Sequence, residues 1–351
     1  MNKASKQIVS AWSNAEGAKE NKYISVDQTN LQKVAAGFAK DEFKIPNWRF
    51  DGVYPKHEWA FAAFQLFANC FNFAFNIFEK PDEKYMAFNP CDAEKPFAGA
   101  FAMNSKIYAH FWEKPIQYND LYKHFSTPKK AENFFRDINL MPLSALRSDM
   151  AMDYATRLID FQYNTQNLLE EATVWDQGEK RSVLRAFNNG KGLVEILVSH
   201  FPVAYGDDVQ TFGLDRLAFN KRAQLVAVMI HGRALDSKGI LPPVIDIDEV
   251  GPIADYELPK ALRHLGILKY SEELAELVDN WKEIPKDSQM EIEIRMATVA
   301  ACDMLLKGIN FHRHEYKGIE PINICHLDYW LWKMGKDAKH LRPHLTRTSA
   351  Y

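Results

Sequence analysis

The 351-residue sequence predicts a mainly α, compact helical protein with few or no strands. Three observations carry that reading: an aromatic stripe at helical spacing, several segments with recognisable helix ends, and a scarcity of alternating apolar runs. In EWAFAAFQLFANCFNFAFNIFEK (58–80), Phe61, Phe64, Phe67, Phe71, Phe75 and Phe78 recur every three or four residues, which places them on one buried helical stripe. Asn72 and Phe73 fall off that spacing and are available to a pocket wall. Segments 127–136, 143–170, 191–201, 219–235, 257–265, 271–283 and 291–308 also read as helices. Thr127 ahead of Pro128 supplies an N-cap and a proline at the first helical position. Gly266 after Leu265 suits a left-handed C-cap, and Ser271 with Glu272 and Glu273 can start the next helix. Residues 257–283 therefore read as a helix–turn–helix hairpin. PVIDID (243–248) alternates weakly, as an irregular link or a short strand.

At 47% apolar residues, the chain can bury one large core or two joined ones. No repeat or low-complexity linker divides it. The expected organisation is an N-terminal extension (1–50) packed on a single helical domain (51–351), in two lobes at 51–200 and 201–351. Lys and Arg total 43 against 46 Asp and Glu, a net −3 with no long block of one sign. A nucleic-acid partner is disfavoured on that charge. No run of about 18 apolar residues could span a bilayer, and the first residues lack a signal-peptide core. The expectation is a cytoplasmic protein with no membrane partner; oligomeric state is not legible. Cys70, Cys91, Cys302 and Cys325 lack CxxC spacing and read as buried thiols, while His312 and His314 in HRHE read as a solvated loop. No metal and no cofactor are expected.

Asp255, in IADYELPKAL, stands directly before a helix. A capping aspartate there contributes about 0.5–2 kcal/mol. Of Asp246, Asp248 and Asp255, however, only Asp255 has residues expected to be buried on both sides, and a carboxylate in an apolar wall can stabilise a positive transition state. Asp328 lies among Leu327, Tyr329, Trp330, Leu331 and Trp332, as a structural anchor or as the polar anchor of a pocket. Lys221 and Arg222 open an apolar helix against its dipole, so a carboxylate or phosphate beside them is expected. His344 and Arg347 fall in the last residues, where chains are usually loose.

Nine stretches, in order, resemble the queuosine salvage protein family: CFNFAF (70–75), FAGAFAM (97–103), FFRDINLMPLSALRSDM (134–150), LVEILVSHFP (193–202), FNKRAQLVAV (219–228), ADYELPKALRHLGILKYSEEL (254–274), EIEIRMATVAACDML (291–305), INICHLDYWLW (322–332) and PHLTR (343–347). The resemblance implies a helical fold related to helix–hairpin–helix DNA glycosylases, with the catalytic aspartate at Asp255. It implies N-glycosidic hydrolysis of queuosine 5′-phosphate or a related 7-deazaguanine nucleotide, releasing the base queuine for tRNA modification. Such cleavage builds oxocarbenium character on the ribose, which a nearby anion and a positioned water favour. Asp328 is then assigned to the base, Asn72, Phe73, Phe101 and Tyr256 to the pocket wall, and Lys221, His344 and Arg347 to the 5′-phosphate. The sequence departs from the family pattern at Phe75 and Asn76, at Ala100 and Phe101, at Met229 in place of an aspartate and at Glu257 in place of an arginine. Two other readings stay open: an N-glycosylase for a different modified nucleoside, and a nucleotide-binding protein without catalysis.

Overall fold

The computed structural model describes residues 1–92, 94–111 and 117–351, which fall into two compact units. The first comprises 1–45, 209–221 and 248–347; the second comprises 46–208, 222–247 and 348–351.

In the first unit the helix Gln289–Arg313 starts where the Ser288 side chain accepts the Glu291 N–H, and it is buried over most of its length. Lys3–Ala18 and Gln28–Phe38 pack against it. Gly308 permits this approach: a Cβ there would lie 2.9 Å from the Ala35 methyl. Between those two helices runs the strand Ile24–Val26, paired antiparallel with Leu268–Tyr270. The buried Glu293 carboxylate fixes its start by accepting the N–H groups of Lys22, Tyr23 and Ile24. Backbone donors at a strand entrance need a partner, and a charged acceptor is a strong one.

Helix Glu257–His264 packs on Ile324–Asp337 in the same unit. Gly335 makes the closest point of contact, because a Cβ there would meet the Glu257 carbonyl oxygen at 2.4 Å. Any other residue would push the two helices apart.

The second unit is an aromatic core. Its helix Glu58–Ala68 passes into a 3-10 turn, Asn69–Phe71, and stops. The single stripe expected over 58–80 therefore ends early, although Phe71, Phe73, Phe75 and Phe78 are all buried. What turns the chain is Arg147, fully buried on helix Ser144–Arg157, whose guanidinium donates to the carbonyls of Pro142, Phe71, Phe73 and Ala74. A charge able to collect four backbone acceptors outweighs continuation of the helix. The helix expected over 143–170 likewise breaks, since Gln162 and Tyr163 are left-handed and Asn164 caps a new helix, Thr165–Glu171.

The mainly α content roughly holds, but the expectation of few or no strands requires correction. The chain is about half helical and about a tenth strand. Ten short strands form five antiparallel two-stranded ladders among the described residues. The helix–hairpin–helix relationship falls with it. Gly266 does take a positive φ of 68° after helix Glu257–His264, and Ser271 does cap Glu272–Asp279. The residues between them are not a tight turn but the strand Leu268–Tyr270, held by a partner far away in sequence.

Candidate active site

Asp255 is both cap and more than cap. Its Oδ1 accepts the N–H groups of Glu257 (2.8 Å) and Leu258 (3.1 Å), satisfying donors at the start of helix Glu257–His264. Among the described residues its Oδ2 accepts no hydrogen bond, and the side chain is half-buried rather than sealed. The chain leading into it is held by Asp328, whose Oδ1 accepts the Ile253 N–H at 2.9 Å. Asp328 sits on helix Ile324–Asp337, so the Gly335 contact that seats this helix on Glu257–His264 also sets the acid against the Asp255 segment.

The electrostatics follow from this packing. Burial pushes the Asp255 carboxyl above its ordinary value; Lys221 opposes that rise and Glu257 adds to it. Asp328, deeper and 9% exposed, is pushed up to about 8, first by burial and then by the charge of Asp255, against the Ile253 N–H and Lys221. At neutral pH Asp328 therefore keeps its proton. Asp255, with two backbone donors on one oxygen, is the better placed of the two to ionise. Glu257 lies 3.7 Å from Lys260, and both are buried. The Cys302 and Cys325 thiols are pushed far up by burial with Asp328 nearby, which makes them inert.

The other residues singled out from the sequence are distributed over both units. Tyr256 directly precedes helix Glu257–His264 and is half-buried. The last residues are not loose. Leu345 bridges Glu283 in parallel and its carbonyl accepts the Ile284 N–H. His344 is buried, and burial with the Arg295 charge holds its imidazole down to about 3, so it is neutral. Arg347 donates to both oxygens of Glu283 at the surface. In the second unit Arg222 pairs with the Asp207 carboxylate and donates to the Cys70 carbonyl, which answers the expectation of an anion at that helix start. Phe73 is fully buried, 4.1 Å from the Arg147 guanidinium. Asn72 donates to Asn69, and Phe101 packs on Phe50 with ring centroids 4.9 Å apart. Met229 places its sulfur 3.7 Å from Asn69 Nδ2, and Asn76 donates to the Pro81 carbonyl. His312 lies in the last turn of the helix Gln289–Arg313 and His314 is its exposed C-cap, and no metal-binding group of three occurs among the described residues.

Sequence reasoning passed over Arg295 and Gly335. Arg295 is fully buried, 3.9 Å from the centre of the Phe219 ring, and its charge adds to burial in lowering His344. Its signal was an arginine two residues after Glu293, between Ile294 and Met296.

A carboxyl pushed up to about 8 and a second raised carboxyl that caps a helix, with a lysine charge acting on both, make a candidate paired-acid site. Residues 53–351 match the family model described as queuosine salvage protein. The chain belongs to that family. It is 32% identical over 172 residues to the queuosine 5′-phosphate N-glycosylase/hydrolase of Sphaerobacter thermophilus, covering 48% of this chain and 50% of the relative. The proteins of the same name from Dictyostelium discoideum (31% over 175 residues, 49% and 51%) and Bos taurus (34% over 158 residues, 44% and 45%) are similar to the same degree. The chain spans about half the length of these curated relatives.

Proposed function

We propose that this protein hydrolyses the N-glycosidic bond of queuosine 5′-phosphate, or of a closely related 7-deazaguanine nucleotide, and releases the free base. The observation that carries the reading is the division of labour between two acids, Asp328 protonated and Asp255 with one oxygen uncommitted. Paired carboxyls whose environments separate their titrations are the arrangement that acid–base cleavage uses. Family membership and the names of the relatives point the same way.

As the C1′–N bond lengthens, its electron pair moves to the base and positive charge develops on the ribose. The ionised Asp255 stabilises that charge and takes a proton from the attacking water, whose oxygen bonds to C1′. Its raised proton affinity makes it a stronger base than an ordinary aspartate. A 7-deazapurine has carbon where purines have N7, so the leaving base needs its hydrogen bond elsewhere on the ring. Asp328, carrying a proton at neutral pH, can donate it. Tyr256 flanks the sugar or base. The 5′-phosphate is held by Lys221, with His344 as a neutral N–H donor and Arg347 as the more exposed cation. The substrate is a small molecule, and the four free thiols agree with the cytoplasm as the compartment.

Incubation of the purified chain with queuosine 5′-phosphate and mass-spectrometric detection of queuine tests this reading. Release by the wild type and its loss in Asp255→Asn support it; undiminished release by the variant removes Asp255 from the chemistry. A second reading, a different modified nucleoside as substrate, is favoured by Met229 and Asn69, which make a thioether–amide contact where the family pattern has an acid. Base release from a nucleoside panel decides between them.

A further inference from the structure

The second unit contains an open bay of about 520 Å³, remote in sequence from Asp255 and lined by Lys106, His110, Lys123, His124, Lys130 and Phe134. Helices Ala100–Phe111 and Tyr118–Phe125 each present a histidine from the last turn, and the two Nε2 atoms stand 2.9 Å apart. When both rings are neutral, one donates an N–H and the other accepts it. Beneath them the Phe134 ring meets both edge-on, at centroid distances of 5.2 and 5.5 Å.

The charges around this pair are lopsided. Lys106 is neutralised by Asp137 at 2.7 Å and also donates to the Arg136 carbonyl. Lys130 bonds only a neutral partner, the Ser126 hydroxyl, and stacks over Tyr122. Lys123 has no hydrogen bond or ion pair among the described residues. Among the described residues Asp120 is the one acid whose charge acts on either histidine, while Glu132 on helix Pro128–Phe135 is engaged by Lys129 and Arg136. Two ammonium groups with no ion pair among the described residues thus face a histidine pair whose proton affinity burial and the lysines lower. A bound metal ion would be repelled by this surround. An anion would be attracted by it, and its own charge would draw a proton onto the imidazoles.

We propose that this bay binds a phosphomonoester, with its phosphate dianion over His110 and His124, between the Lys123 and Lys130 ammonium groups, and its organic part against Phe134. The volume is that of a small-molecule site, about 300–1,000 Å³ in general. Binding takes up a proton, because the anion raises the imidazoles toward their charged form; affinity therefore increases as pH falls from 8 toward 6. Below the second ionisation of the phosphate the dianion itself is lost, and affinity declines again.

The test uses the full chain and its histidine ring signals in NMR, assigned with His110→Gln and His124→Gln. Inorganic phosphate, then AMP, is titrated at constant ionic strength maintained with chloride. The expected result is a saturable shift of these two signals, a rise in both imidazole pKa values, and affinity weakened about tenfold or more in Lys123→Gln/Lys130→Gln. AMP binding more tightly than phosphate supports the apolar floor, and equal affinity removes Phe134 from the proposal. Shifts reproduced by chloride alone, signals that do not move, or full affinity in the double-lysine variant would each overturn the site. These readouts involve no base release, so they fail independently of the proposed hydrolysis.

Discussion

The two units bury charge in opposite ways. In the first, acids collect backbone N–H groups: the buried Glu293 at the strand entrance, the buried Asp328 at Ile253 and the half-buried Asp255 at the helix start. In the second, arginines collect carbonyls. Arg147 gathers four, and Arg233 donates to those of Asn47, Trp48, Pro55 and Lys56, with its guanidinium 4.1 Å from the Phe61 ring centre. Arginine does not lose its proton in proteins, so the second solution is indifferent to pH. A buried carboxyl is not, and the same desolvation that makes it costly also tunes it for proton transfer.

The largest expected effect breaks that contrast at its active member. Asp255→Asn keeps an oxygen to cap the helix but cannot ionise, and should lower turnover by about a thousandfold with little change in unfolding midpoint, read by queuine release and thermal melting. Next comes Arg147→Met, which leaves four carbonyls of the second unit without their donor. A loss of about 3–5 kcal/mol is expected by denaturant titration, with the same size at pH 5 and pH 8.

Asp328→Asn sharpens the pH side of the comparison. Because the folded state holds this proton up to about 8 while an unfolded aspartate releases it near 3.8, the native protein binds more protons between those values. The Asp328 contribution to stability is thus full below pH 4 and diminishes as pH rises toward 8. The asparagine variant should lose that slope, and a wild type whose midpoint does not fall relative to the variant between pH 5 and pH 8 would contradict the assignment. The smallest effect belongs to Glu283→Gln, which removes an exposed ion pair with Arg347 and should cost under about 1 kcal/mol in the same titration.

Much of the local structure was legible. Thr127 caps by accepting the Lys130 N–H with Pro128 at the first helical position, Ser271 caps by accepting the Leu274 N–H, and Gly266 supplies the positive φ after its helix. Each of these depends on residues within one turn. The strands were not legible, because Leu268–Tyr270 becomes one only by pairing with Ile24–Val26, 244 positions away at the Ser25–Lys269 pair, and neither segment alternates strongly enough to announce itself. The extent of the Phe stripe was overread for a related reason. Helical spacing continues past Phe71, but the backbone does not, since Arg147 offers its carbonyls a better partner.

The sequence by itself determined which acid could matter: Asp255 stands before a helix between apolar neighbours, and the ordered motifs around it identify the family. Only the tertiary structure decided what that acid and Asp328 can do. Proton affinity is set by the surroundings a chain folds into: burial raises both carboxyls, and the charge of Asp255 adds to it at Asp328, which is pushed up to about 8.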